Sequence, residues 1–120
     1  MAVWMLNNLQ RKILDNYLSR IILPPCVYGF GNGKSIIENA KKHIGGRYLL
    51  NLDIRDFFPS VHYTRIKQIY IDLGCSDEVT EVLCNLTTLN YSLPQGAPTS
   101  PYLSSIALNN LDKRMLILAK

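Results

Sequence analysis

Tyr48-Leu49-Leu50-Asn51-Leu52-Asp53-Ile54-Arg55-Asp56-Phe57-Phe58-Pro59-Ser60-Val61 decides how the rest of the chain reads. Residues 48–54 are almost wholly apolar, which predicts a mostly buried strand, and Pro59-Ser60 breaks the chain after it. Asp53 is out of character there, because a carboxylate at the end of an apolar strand is costly to bury unless a cation or donor answers it. Asp56 follows three residues later, and Phe57-Phe58-Pro59 walls the region off. A carboxylate delivered to a strand's exposed end beside a tight turn suits a hard cation such as magnesium, which takes oxygen ligands. An aspartate that caps the turn, or pairs with Arg55 or a more distant base, fits the same spacing, and spacing by itself favours that plainer role.

Upstream, residues 3–20 place Leu6, Leu9, Ile13 and Tyr17 at helical spacing, with Leu14 and Leu18 widening the stripe, until Pro24-Pro25 stops the helix. Tyr28-Gly29-Phe30-Gly31-Asn32-Gly33-Lys34 reads as a glycine-rich loop. Ser35 with Glu38 forms a capping box that opens a helix carrying Ile36, Ile37, Ala40 and Ile44 inward and ending at Gly45-Gly46. Downstream, a helix over residues 63–73 ends at Gly74. Ser76 caps another with Val79, Val82, Leu83 and Leu86 on one face. Residues 91–93 make a short strand at best. Ser100-Pro101 looks like an N-cap and first-turn pair for a last helix with Leu103, Ala107, Leu111, Met115 and Leu118. That helix runs to the final residue with no stop signal, so the chain is expected to be cut rather than finished.

The chain has 120 residues, 48% of them apolar, which excludes a disordered tail and suffices for one core. No apolar run reaches the roughly 18 residues of a membrane helix and the start lacks a signal-peptide layout, so a soluble, cytoplasmic protein without a membrane partner is expected. Cys26, Cys75 and Cys84 are odd in number and lack C-x-x-C spacing, which argues for small apolar roles over a disulfide or zinc site. The net charge of +4 is uneven: residues 1–47 hold seven bases against two acids, and residues 48–120 six against seven. A basic front half suits a protein that meets polyanions with one lobe, and equally a merely soluble basic domain.

Gly33-Lys34-Ser35 is not a P-loop: three residues, not four, separate Gly29 from Gly33, and no apolar strand leads in. A basic loop ahead of a helix start, able to hold a backbone phosphate, fits better. In Leu93-Pro94-Gln95-Gly96-Ala97-Pro98-Thr99-Ser100-Pro101, prolines and a glycine fix a rigid backbone and leave Gln95 as the one long polar arm, which suits recognition of a planar or sugar-bearing ligand.

Three strings in order and at the right spacing resemble the reverse transcriptases of bacterial retrons and their group II intron relatives. Val27-Tyr28-Gly29-Phe30 with Ser35-Ile36-Ile37-x-Asn39-Ala40-x-x-His43 resembles the fingers segment of that family. Residues 53–61 resemble its palm strand with the first catalytic aspartate. Residues 95–101, with Leu103-Ser104, resemble the segment under the incoming nucleotide, and residues 9–14 resemble the helix before the fingers loop. The resemblance implies an α+β chain: helix-rich fingers over residues 1–47 and, over residues 48–120, the beginning of an antiparallel palm sheet of a right-hand polymerase.

It also implies roles. Asp53 would be catalytic and bind both magnesium ions, with the backbone carbonyl of Ile54 assisting. Asp56 and Phe57 would offer backbone amides to the triphosphate, and Phe58 would be the steric gate against a 2′-hydroxyl. Gln95 and Gly96 would line the nucleotide pocket, and Lys34, Ser35 and Asn39 would touch the template. Partners would be an RNA template, a DNA or RNA primer and deoxynucleoside triphosphates, joined by two-metal phosphoryl transfer. The Tyr-x-Asp-Asp hairpin, thumb and extensions of the family lie outside these residues, and Ser105 stands where relatives usually have Asn. The 120 residues alone are therefore expected not to polymerise, and a non-catalytic nucleic-acid-binding module, or a self-associating one joined through the exposed palm face, is the alternative.

Overall fold

Leu18, Ile66, Tyr70, Cys84 and Leu103 have no exposed surface, and around them the helices of the body assemble. The structure, a computed structural model, describes residues 2–29 and 33–120; the centre of the glycine-rich loop, Phe30, Gly31 and Asn32, lies outside the described residues. Among the described residues six helices follow in order: α1 (Val3–Asn16), α2 (Ile36–Lys41), α3 (Phe57–Ser60), α4 (Tyr63–Asp72), α5 (Asp77–Thr87) and α6 (Ser100–Leu118), with a single 3₁₀ turn, Leu18–Arg20, after α1. The helix expected over residues 3–20 thus breaks at Tyr17. No helix among the described residues is long and apolar enough to cross a membrane.

The core is built where α4 packs on α5 and on the first half of α6, and α1 with its 3₁₀ turn closes the other side. Hydrogen bonds between distant residues fasten it. Gln10 Nε2 donates to the Leu86 carbonyl (2.8 Å), Tyr102 donates from its hydroxyl to the Ile21 carbonyl (2.8 Å), and Arg65 reaches the Ala107 carbonyl (3.3 Å). The buried Tyr70 hydroxyl donates to Thr87 Oγ1 (3.1 Å), and the Thr87 hydroxyl in turn donates to the Leu83 carbonyl (2.7 Å). Burial pushes the Tyr70 phenol well above its ordinary range, despite the Thr87 bond, so it stays a neutral donor.

Four sequence expectations are corrected. Residues 48–54 form no strand: among the described residues only the isolated bridges His62↔Ser92 and Leu89↔Ser92 occur, and the segment is exposed throughout, with Tyr48 at 91%. The apolar pattern is that of a buried strand, but a strand needs a neighbour for its backbone groups, and among the described residues 47–55 donate no backbone hydrogen bond. Ile36, Ile37, Ala40 and Ile44 are exposed rather than inward: α2 buries nothing and stops at Lys41, short of Ile44 and of Gly45-Gly46. On α5 the buried face is Thr80, Cys84 and Thr87, with Val79 and Val82 outside. Ser100 lies inside α6 instead of capping it; its hydroxyl donates to the Pro94 carbonyl (2.7 Å) and ties down the preceding bend.

The consequence is a body with an arm. Every residue from 33 to 56 is exposed. The radius of gyration is 15.7 Å, against about 13.6 Å for a compact chain of this length. The accessible surface is 8958 Å², where a compact monomer of 13.6 kDa would show about 6,600 Å².

Candidate functional site

Asp53 stands on the arm with its carboxylate exposed and, among the described residues, without an ion pair. The base next to it is diverted: Arg55 Nε lies 3.7 Å from Asp56 Oδ2 instead. The plainer role of Asp53 as partner of Arg55 is therefore not what the structure shows. Asp56 takes a left-handed conformation (φ +47°), which aspartate tolerates better than most residues, and this turns the chain from the arm into α3. The Ser60 amide closes the turn on the Asp56 carbonyl (3.0 Å), and the Ser60 hydroxyl closes on that of Phe57 (2.6 Å). No backbone acceptor takes the amides of Phe57 and Phe58 among the described residues.

Phe57 and Phe58 mark the join between arm and body. Their rings sit 6.0 Å apart at 51°, both half-buried against the core cluster. Gln95 and Gly96 lie exposed on the second candidate segment, where Gly96 (φ +82°) needs the freedom of a residue without Cβ. Leu93, Ala97, Thr99 and Ser100 anchor that bend in the body. Phe58 and the Gln95 bend are thus both held by the core, whereas Asp53 and Ile54 are not, and no polar contact joins Asp53 to Gln95 among the described residues.

The third group is already engaged. Lys34 Nζ donates to the Pro25 carbonyl (3.0 Å) and sits 4.7 Å from the centre of the Tyr28 ring. Ser35 Oγ accepts the Glu38 amide (3.1 Å), and Glu38 turns to Lys41 (3.0 Å) rather than completing the box. Of the three expected template contacts, only the Asn39 side chain makes no hydrogen bond among the described residues.

A magnesium site is only partly furnished. Asp53 offers the right kind of donor, a hard oxygen free of a competing cation. The number of donors falls short, because no group of three or more His, Cys, Asp or Glu able to hold a metal occurs among the described residues.

Sequence reasoning missed two features near this site. His62 caps α4 by accepting the Thr64 amide at Nδ1 (3.3 Å), a role its residue type does not advertise. Asn90 and Tyr91 both take left-handed conformations (φ +50° and +61°) in a two-residue hairpin turn closed between Leu89 and Ser92. A second-position Gly would have signalled that turn; a tyrosine there costs on the order of 1 kcal/mol and hides it.

Comparison with known proteins agrees with the three strings. Residues 3–117 match the family described as "Reverse transcriptase (RNA-dependent DNA polymerase)". The Retron Ec86 reverse transcriptase of Escherichia coli is 36% identical over 110 residues, covering 92% of this chain and 34% of that protein. The Retron Mx65 reverse transcriptase of Myxococcus xanthus is 36% identical over 133 residues, covering 96% and 31%. The Retron Mx162 reverse transcriptase of the same organism is 34% identical, covering 92% and 27%. The chain spans about a third of the length of these curated relatives, and with nearly all of its residues inside the match, it belongs to the reverse transcriptase family.

Proposed function

We propose that residues 1–47 are the fingers and residues 48–120 the first part of the palm of a retron-type, RNA-directed DNA polymerase, working on an RNA template with a primer and deoxynucleoside triphosphates in the cytoplasm. The observation that carries this reading is Asp53, without an ion pair among the described residues, at the head of residues 53–61 and inside a family match that covers residues 3–117. In this reading Asp53, helped by the Ile54 carbonyl, contributes one carboxylate to a magnesium set completed by acids outside these residues. Bound magnesium would supply charge neutralisation for the attacking 3′-oxygen and the leaving pyrophosphate. Asp56 and Phe57 present amides to the triphosphate, Phe58 meets the sugar edge, Gln95 and Gly96 border the nucleotide, and Asn39 with the Lys34 charge faces the template. An aromatic ring wedged half into the core makes a firm steric gate, because it cannot yield to a 2′-hydroxyl without disturbing its packing.

Primer extension tests this. The 120-residue chain alone should incorporate nothing, since one carboxylate cannot hold two ions. A full polymerase carrying this segment should lose at least about a thousandfold in rate on Asp53→Asn, and should begin to accept ribonucleotides on Phe58→Ala. Incorporation by the chain alone, or an active Asp53→Asn enzyme, would overturn the reading. The exposed arm favours a second reading beside it, association of the chain through residues 44–54, where Ile44, Tyr48, Leu50 and Leu52 are all uncovered.

A further inference from the structure

Outside the polymerase segments, three rings meet at the start of α4. Tyr91 lies nearly parallel to His62 (centroids 6.5 Å, 11°) and roughly perpendicular to Tyr63 (6.3 Å, 77°). The cluster is held by backbone. The Tyr63 amide donates to the Tyr91 carbonyl (2.8 Å), Leu89 and Ser92 exchange hydrogen bonds across the turn, and His62 is fixed by its bond to the Thr64 amide. Despite this anchoring Tyr91 is 73% exposed. An L residue with a bulky side chain is held in the left-handed region, where glycine would be relaxed, and the result is a ring presented outward in a set direction.

We infer that the Tyr91 ring, backed by His62, is a stacking platform for an unpaired base of single-stranded nucleic acid. A fixed, exposed ring with one face supported binds a flat, polarisable partner with little loss of side-chain freedom, and every nucleobase has such a face. The contact is stacking rather than phosphate neutralisation. The inference rests on the nucleic-acid reading of the chain but uses neither Asp53 nor magnesium.

The test is fluorescence anisotropy of a labelled oligouridylate of about 12 nucleotides titrated with the chain in EDTA, beside thermal melts and light scattering. Tyr91→Phe should bind like the parent chain. Tyr91→Gly should bind about tenfold more weakly while melting at the same or a higher temperature, because glycine relieves the left-handed strain. Equal affinity of Tyr91→Gly and the parent chain overturns the inference, as does absence of binding by the parent chain. A change of mass without a change in oligonucleotide affinity also overturns it and marks the cluster as a protein contact. Primer extension with Asp53→Asn reads the polymerase assignment separately, so the two fail independently.

Discussion

Individual side chains divide into those the core commits and those left available. Cys84, buried on α5, has its thiol pushed up by burial and serves as a packing atom, as the odd cysteine count suggested. Asp112 on α6 is the opposite case: partial burial without a cation raises its carboxyl above the ordinary value. Because the folded chain favours the protonated form, this group's stabilising contribution is complete at low pH and is lost as pH rises through its folded value. Asp112→Asn should therefore raise the melting temperature at neutral pH and leave it unchanged near pH 3; equal shifts at both would refute burial as the cause. The same logic of available charge makes Asp53 informative. Nothing in the sequence could say whether Arg55 would take Asp53 or Asp56, because both lie within reach along the chain and only the left-handed turn at Asp56 decides.

At the level of elements, the serine caps of α2 and α5 were readable, the Ser100 start and the helix ends less so, and the faces of α2 and α5 were not. Ser35 and Ser76 cap α2 and α5 as their spacing predicts, through the amides of Glu38 and Val79. The two caps should nevertheless behave differently. Ser76→Ala should destabilise the whole fold by about 1 kcal/mol, because α5 carries the core residue Cys84. Ser35→Ala should reduce helical circular dichroism without moving the melting midpoint, because α2 buries no residue; a shared fall in midpoint would mean that the arm packs on the body. The faces misled because spacing finds a stripe without knowing which neighbour exists. On α5 Thr80, Thr87 and Cys84 win the interior over Val79 and Val82, and the apolar pattern of residues 48–54 is real but unpartnered. The family segments were legible because they rest on rare local strings, whereas the His62 cap and the Asn90-Tyr91 turn use residue types that usually mean something else.

For the molecule as a whole, about 2,400 Å² of surface beyond that of a compact monomer needs a cover. Ile44, Tyr48, Leu50, Leu52 and Ile54 account for one uncovered stretch, and Leu111, Met115, Ile117 and Leu118 at the far end of α6 for another. Light scattering of the 120-residue chain should report a mass above 13.6 kDa at micromolar concentration. Leu50→Lys with Leu52→Lys should return it toward monomer without changing the melt. A chain that stays monomeric throughout would show that the arm is tolerated bare.

The fastenings of the body also order its birth. Gln10 waits for a carbonyl 76 residues further on, and Ile21 for a hydroxyl 81 residues further on. As the ribosome releases the chain in order, α1 has no seat until α5 and α6 have followed it out, and closing such long loops is the slow part of folding. During that interval the apolar arm, already emerged, is the stretch of the nascent chain most in need of a chaperone.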